Sequence, residues 1–254
     1  MEDFNRNSGK TTIIAGPCAV ESEEQMERVC SCLSSLGVKY LRGGCFKPRT
    51  NVNTFRGLGC DGLKIMHSAG NRFGMKIVTE VRDTAHLDIV AEYADIVQIG
   101  AKSMYDNDLL LGCGELKKPI IIKRNFAATV KEVTNAVEFI LSRGNDDVII
   151  CERGIRTFEN NTRFTLDLCG VAWLKEHTDF PIIVDPSHAM GFRYGVSDLA
   201  RAAVAMGVEG LMVEVHPEPD KALSDSAQQL DLKMFGELYE SLKPIVSAVN
   251  RKIN

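Results

Sequence analysis

The sequence predicts an α/β protein folded as a single-domain (β/α)8 TIM barrel. Eight short apolar runs alternate with longer amphipathic segments along its 254 residues, and the runs are apolar at consecutive positions, as parallel strands covered by helices are. Polar or charged residues follow all eight runs. An open doubly wound sheet is the alternative, but it needs a glycine-rich turn after its first strand, and "GPCAVES" does not supply one.

The predicted elements follow one another with no surplus element and no linker, which favours one domain. The predicted strands are 11–17, 40–45, 75–81, 95–100, 119–124, 147–154, 181–187 and 210–216. Amphipathic periodicity predicts helices at 22–36, 59–73, 84–93, 105–113, 129–143, 162–176, 196–207 and 228–249. We therefore expect residues 1–10 to form a short N-terminal extension and residues 11–254 to form the barrel, without a separate regulatory domain.

Composition and charge exclude several classes of partner. The net charge is −4, the pI is about 5.8, and Lys and Arg are scattered, so we expect neither a nucleic-acid nor a membrane partner. No apolar run approaches the roughly 20 residues of a membrane-spanning helix, and "MEDFNRNSGK" lacks the apolar core of a signal peptide. The eight Cys show neither a disulfide framework nor paired C-x-x-C motifs. We expect a cytoplasmic protein with free thiols.

A barrel brings the carboxyl ends of all its strands to one rim, where such folds carry their active sites. Seven cations fall at these ends, namely Arg42, Lys47, Arg49, Lys102, Lys123, Arg124 and Arg153. Positive charges converging in a barrel mouth repel one another unless anions lie among them, which indicates phosphate and carboxylate substrates. An ordinary solvated loop with surface charges is the alternative reading of the cations around "KPRT".

A second group at the same rim has the residue types of a metal site. Cys18, His188, Glu214 and Asp225 offer a thiolate, an imidazole and two carboxylates. This donor set suits Mn²⁺, Fe²⁺, Co²⁺ or Zn²⁺ better than Mg²⁺ or Ca²⁺. The four residues form no short motif, and a neutral His188 hydrogen-bonded to Asp185 is an equally good reading from the residues alone.

Motifs at the strand ends resemble one enzyme family. "IAGPCAVES", "LRGGCFKPRT", "QIGAK", "IIKR", "CERGIRTF", "VDPSHAMG" and "VEVHPEP…ALSD" are together similar to the 3-deoxy-D-arabino-heptulosonate 7-phosphate (DAHP) synthases of the type I beta group. The resemblance implies a metal-dependent barrel enzyme, a transferase that condenses phosphoenolpyruvate with D-erythrose 4-phosphate and water to give DAHP and phosphate, the first step of the shikimate pathway to chorismate and aromatic amino acids. The alternative is a 3-deoxy-octulosonate 8-phosphate synthase, which uses arabinose 5-phosphate and resembles K-A-N-R-S where this chain has "KPRT".

The resemblance also implies roles for individual residues. It gives the metal to Cys18, His188, Glu214 and Asp225, which decides the open question about His188 in favour of a ligand. It implies that the phosphoenolpyruvate carboxylate is bound by Arg42, Lys47 and Lys123. The phosphate of phosphoenolpyruvate would be bound by Lys123, Arg153 and Ala101–Lys102. The phosphate of erythrose 4-phosphate would be bound by Arg49 and Thr50. Asp185 would lie near the sugar hydroxyl or order the aldehyde. Lys47 is the candidate acid for the new hydroxyl, because neighbouring cations should lower its pKa.

Two positions depart from the family pattern. Lys102 stands where Arg is usual, which keeps the charge and loses the bidentate fork. Asn125 replaces the usual Gly after Lys-Arg, and Asn is the residue that best tolerates a left-handed backbone in place of Gly. The resemblance further implies a homo-oligomer, commonly a tetramer, and leaves a separate regulatory partner open.

Overall fold

Eight parallel strands close into a barrel in the computed structural model, which describes residues 2–47 and 54–254. The strands are β1 (Lys10–Gly16), β2 (Tyr40–Arg42), β3 (Lys76–Val81), β4 (Ile96–Ile99), β5 (Ile120–Lys123), β6 (Val148–Glu152), β7 (Ile182–Val184) and β8 (Gly210–Glu214). Each pairs with the next in sequence, and β1 closes the sheet by pairing with both β2 and β8. The predicted (β/α)8 barrel is confirmed.

Helices surround the strands in the part of the chain that the structure describes. They are α1 (Glu23–Ser35), α2 (Gly59–Arg72), α3 (Leu87–Tyr93), α4 (Asn107–Glu115), α5 (Val130–Leu141), α6 (Leu168–His177), α7 (Pro186–Met190), α8 (Arg193–Ala205) and α9 (Leu232–Ala248). Local chemistry sets several starts: Thr129 and Glu132 form a capping box at the start of α5. Across residues 2–47 and 54–254, every helix falls short of the length and hydropathy that a membrane crossing requires.

Two sequence expectations about the elements are wrong. The sixth helix begins at Leu168 and not at residue 162, because Ile155 and Thr165 form an antiparallel bridge that keeps the preceding segment extended. The chain also has surplus elements, α7 directly after β7 and a short ninth strand, β9 (Lys252–Ile253), beside the start of β1. Asp185 starts α7, since its side chain accepts a hydrogen bond from the His188 backbone N–H.

The barrel has an inner and an outer apolar layer, because successive strand residues point to opposite faces. Ile13 and Ala15 pack in the outer layer with the helices, whereas Ile14 belongs to the inner layer. The inner layer is completed by Phe4, which is fully buried and packs edge-on against Tyr40 with 5.2 Å between ring centroids. The N-terminal residues that the sequence predicted as an extension therefore contribute to the barrel core.

We expect Phe4→Ala to destabilise the protein by about 3–5 kcal/mol, because it empties a fully buried position in the barrel interior. The measurement is the free energy of unfolding in urea. Phe158→Ala is the matched control, since Phe158 is fully exposed and its truncation should change stability by less than about 0.5 kcal/mol. Equal stability of the Phe4 variant and wild type would contradict the assignment of Phe4 to the core.

Candidate active site

A cavity opens at the carboxyl ends of the strands. Its walls combine cations, acids and two aromatic rings, namely Lys47, Glu80, Ala101, Lys102, Lys123, Phe126, Arg153, Arg163, Phe164, His188 and Asp225. The carboxyl ends of the strands lie at one rim, as the sequence predicts. Lys102 and Ala101 lie in a 3-10 turn directly after β4, where they face the cavity.

The four predicted metal ligands converge at one side of this cavity. Ligand atoms of Cys18, Glu214 and Asp225 lie within 4.8 Å of one another. His188 Nε2 lies 3.5 Å from Glu214 Oε1 and 3.7 Å from Asp225 Oδ2. Sulfur, imidazole nitrogen and carboxylate oxygen in one cluster fit a borderline divalent cation.

The chain holds these side chains by specific local contacts. Gly16, at the end of β1, has φ of +150° and approaches Arg42 so closely that an added Cβ would lie 2.0 Å from the Arg42 carbonyl oxygen. This position therefore requires Gly, and it directs the chain toward Cys18. Asp185 orients the imidazole, since its Oδ2 lies 2.7 Å from His188 Nδ1 and leaves Nε2 toward the other ligands.

Burial shifts the pKa values of two proposed ligands, Cys18 and His188. Burial, with a smaller contribution from the Glu214 carboxylate, raises the pKa of the Cys18 thiol to about 12. Burial also lowers the pKa of His188, although Asp185 opposes this effect. The imidazole is therefore neutral and able to donate a lone pair at neutral pH, whereas a cation must displace the thiol proton.

Two of the cations have a carboxylate partner, although Arg42 keeps a buried Nε without a hydrogen-bond partner among the described residues. Lys123 Nζ lies 2.5 Å from Asp185 Oδ2, and Arg42 lies 2.9 Å from Glu214 Oε1. Within residues 2–47 and 54–254, Arg153 NH1 is buried and has no hydrogen-bond partner, and its guanidinium packs 4.5 Å from the Phe164 ring centroid. A buried N–H group without a partner is unfavourable by about 1–3 kcal/mol. Arg153 therefore lines the cavity with a donor that lacks an acceptor among the described residues.

The structure corrects two expectations about the cations. Arg124 does not serve the cavity: its guanidinium is buried between Glu152, at 2.9 Å, and Asp167, at 2.8 Å. The expected lowering of the Lys47 pKa is also wrong. Burial favours a lower value, but the Cys18 sulfur and the Glu214 carboxylate outweigh burial and neighbouring Arg42, so the pKa of Lys47 is raised.

Other predicted and unpredicted residues complete the site. Arg49 and Thr50 lie outside the described residues, so their predicted contact with a phosphate stays a prediction. The sequence reasoning missed Arg163, Phe126 and Phe164 in the cavity wall. Arg163 and Phe164 follow β6 by about ten residues, in a segment whose periodicity predicts the start of a helix and not a position at the rim.

A family model described as the DAHP synthetase I family matches residues 4–251. The chain belongs to the DAHP synthetase I family.

Full-length relatives agree with this family. The phospho-2-dehydro-3-deoxyheptonate aldolase of Thermotoga maritima is 47% identical over the whole chain, which spans 75% of that relative. A crystal structure of this T. maritima DAHP synthase superposes with a TM-score of 0.95 at 48% identity, covering 97% of this chain and 72% of the other. A structure of a truncated T. maritima 3-deoxy-D-arabino-heptulosonate 7-phosphate synthase superposes with a TM-score of 0.91 at 46% identity. The match covers 97% of this chain and 90% of the other.

An octulosonate relative is more distant. The 2-dehydro-3-deoxyphosphooctonate aldolase of Syntrophotalea carbinolica is 34% identical, and the match covers 93% of this chain and 91% of that relative. The identity to the T. maritima heptulosonate enzyme is higher by a wide margin over a comparable length. The sequence-based preference for the DAHP synthases over the octulosonate enzymes is confirmed.

We expect Cys18→Ser to weaken Mn²⁺ binding by at least about 100-fold, because loss of a direct ligand should exceed the 10–100-fold effect of losing an outer hydrogen bond. The measurement is isothermal titration calorimetry of EDTA-treated protein. Cys169→Ser is the control, since Cys169 is an exposed free thiol on α6. Wild-type affinity in the Cys18 variant would rule out the thiol as a ligand.

Proposed function

We propose that this chain is a metal-dependent DAHP synthase, a transferase that condenses phosphoenolpyruvate with D-erythrose 4-phosphate and water to give DAHP and phosphate. Family membership, 47% identity to the T. maritima aldolase and the shared barrel support this activity. The observation that carries the proposal is a cavity lined by Lys123, Arg153, His188 and Asp225, beside which Cys18 and Glu214 complete a cluster of thiol, imidazole and carboxylate groups. Arg153 NH1 has no hydrogen-bond partner among the described residues. The reaction is the first step of the shikimate pathway to aromatic amino acids.

Cations of the cavity would bind phosphoenolpyruvate. Its phosphate would lie against Arg153, Lys123 and the Ala101–Lys102 turn, where a dianion satisfies the free guanidinium N–H. Its carboxylate would lie against Lys123, Arg42 and Lys47. Holding both anionic groups fixes the orientation of the three-carbon unit, so that its C3 faces the aldehyde.

Cys18, His188, Glu214 and Asp225 would hold the divalent cation. When bound there, the cation supplies Lewis acidity that polarises the aldehyde oxygen of erythrose 4-phosphate. This donor set suits Mn²⁺, Fe²⁺, Co²⁺ and Zn²⁺ alike. Arg49 and Thr50 would bind the phosphate of this sugar, as the resemblance implies.

Lys47 would supply the proton that the reaction requires at the new hydroxyl. Its Nζ donates hydrogen bonds to the Cys18 carbonyl oxygen at 2.9 Å and to Cys18 Sγ at 3.1 Å. Its raised pKa keeps it protonated, and it would donate that proton as the bond between C3 of phosphoenolpyruvate and C1 of the sugar forms. Water would then add at C2 and return one proton to Lys47. Cleavage of the bond between C2 and the phosphate ester oxygen would release inorganic phosphate, which takes the second proton of that water and leaves a ketone at C2.

Two supporting roles complete the proposal. Asp185 would orient His188 and would hold Lys123, because it contacts both side chains. Residues 10–254 would form the catalytic barrel, with Phe4 packed into its interior. The homo-oligomeric state and the cytoplasmic location stay predictions.

We expect EDTA-treated protein to consume phosphoenolpyruvate only after Mn²⁺ is restored, and with erythrose 4-phosphate as the acceptor. The measurement is the loss of phosphoenolpyruvate absorbance, with arabinose 5-phosphate as the matched alternative sugar. Consumption with arabinose 5-phosphate alone would replace the proposal with the octulosonate reaction. If neither sugar led to loss of phosphoenolpyruvate absorbance, the protein would not be a condensing enzyme.

We expect Arg153→Met to raise the KM for phosphoenolpyruvate about 10- to 100-fold, because charge-assisted hydrogen bonds to its phosphate are lost. Steady-state kinetics at saturating erythrose 4-phosphate measure the change. Arg156→Met is the control, because Arg156 lies three residues further along the same loop with its guanidinium 4.9 Å from the Phe126 ring centroid. An unchanged KM in the Arg153 variant would show that the phosphate binds elsewhere.

A further inference from the structure

Two consecutive glutamines lie behind the proposed metal ligands. Gln228 and Gln229 are only 2% and 0% exposed, and they belong to the segment that joins β8 to α9. A buried side-chain amide is unfavourable unless its donors and acceptors are paired. Their contacts therefore indicate what each amide does.

Gln228 connects the two proposed carboxylate ligands. Its Nε2 donates hydrogen bonds to Glu214 Oε2 at 2.6 Å and to Asp225 Oδ2 at 3.5 Å. Its Oε1 accepts a hydrogen bond from Arg163 NH1 at 2.7 Å. Carboxylates only accept and a guanidinium only donates, so a single orientation of the amide satisfies all three neighbours. Arg163 thus determines that the amide N–H groups point at the ligands.

Asp225 needs such support, because its backbone is strained. It has φ of +50°, a left-handed conformation that is unfavourable for residues other than Gly by about 1–3 kcal/mol. Its Oδ2 lies 3.4 Å from Cys18 Sγ, whereas its Oδ1 lies 3.6 Å from Arg163 NH1. Contacts on both oxygens therefore hold one of them toward the other proposed ligands.

Gln229 connects Cys18 to the same segment. Its Oε1 accepts a hydrogen bond from the Cys18 backbone N–H at 3.0 Å, and its Nε2 donates one to the Ser224 carbonyl oxygen at 2.8 Å. The Ser224 hydroxyl in turn lies 3.1 Å from Cys18 Sγ. Gln229 thus contacts backbone groups, whereas Gln228 contacts both Glu214 and Asp225.

We propose that Gln228, oriented by Arg163, is a positioning residue that aligns Glu214 and Asp225 for the divalent cation. The inference rests on the metal site of the proposed function. Without Gln228, Glu214 keeps the Arg42 contact on Oε1 and loses the amide donor on Oε2. Asp225 keeps the contacts of Cys18 and Arg163 and loses the amide donor on Oδ2. Both carboxylates then sample more orientations, so binding of the cation carries a larger entropic cost of ordering them.

The test is the Mn²⁺ affinity of Gln228→Met, measured on EDTA-treated protein by the electron paramagnetic resonance signal of free Mn²⁺. Met keeps the chain length and removes both hydrogen-bonding groups. We expect affinity to fall about 10- to 100-fold, with the circular dichroism spectrum of the folded protein retained. Wild-type affinity in this variant overturns the inference and leaves the metal site intact. Failure of wild-type protein to bind Mn²⁺ overturns the metal site itself.

Gln25→Met is the matched control. Gln25 is also buried, and its amide bonds two backbone groups, the Glu21 N–H and the Ala19 carbonyl oxygen. We expect wild-type Mn²⁺ affinity in this variant, and a loss equal to that of Gln228→Met would overturn the inference, since any buried amide would then have the same effect.

Arg163→Met tests the second part of the inference without removing a fully buried group. We expect an intermediate loss of Mn²⁺ affinity, and the double variant Arg163→Met/Gln228→Met should lose less than the product of the two single effects, because the residues act on the same carboxylates. Wild-type affinity in Arg163→Met, or fully multiplicative losses, would overturn the role of Arg163. This surface change also keeps the test valid if Gln228→Met fails to fold.

Discussion

Closure of the sheet between β1 and β8 is the constraint on which the site depends. The register pairs Gly16 with Glu214, so the first and last strands end side by side. Cys18 and Asp225 are 207 residues apart in sequence, yet Sγ and Oδ2 lie 3.4 Å apart. Closure also brings β1 against β2, where only a glycine at position 16 fits beside the Arg42 carbonyl. Opening the barrel at this seam would separate the thiol from the carboxylates.

Burial of charge divides the rim into structural and functional parts. Arg124 forms ion pairs with Glu152 and Asp167 and so neutralises charge within the protein. Such pairs contribute little net stability, but removing one partner leaves a buried charge unpaired. Arg153 has no comparable carboxylate partner among the described contacts and retains an unpaired N–H. Arg153, at the end of the neighbouring strand β6, is thus suited to bind an external anion.

Much of the fold and the site could be predicted from the sequence. The apolar runs located all eight strands within a few residues, and the strand ends identified the cavity cations Lys123 and Arg153. The predicted ligands come together, although their roles rest on the resemblance and on the proposed function. The sequence could not reveal Phe4 as a core residue, because one aromatic ring in a polar segment has no periodic partner. Nor could it reveal Arg163, which an irregular segment carries to the cavity.

The sequence by itself determined the order of the strands and which residues follow each strand, because apolar periodicity and a common strand direction are local properties. Only the tertiary structure decided which partner each charge has. Lys123 and Arg124 are adjacent in sequence and alike in charge, but Lys123 contacts Asp185 and Arg124 contacts Glu152. The carboxylates that these two cations meet lie 28 or more residues away in the chain. Pairing through space therefore depends on closure of the barrel.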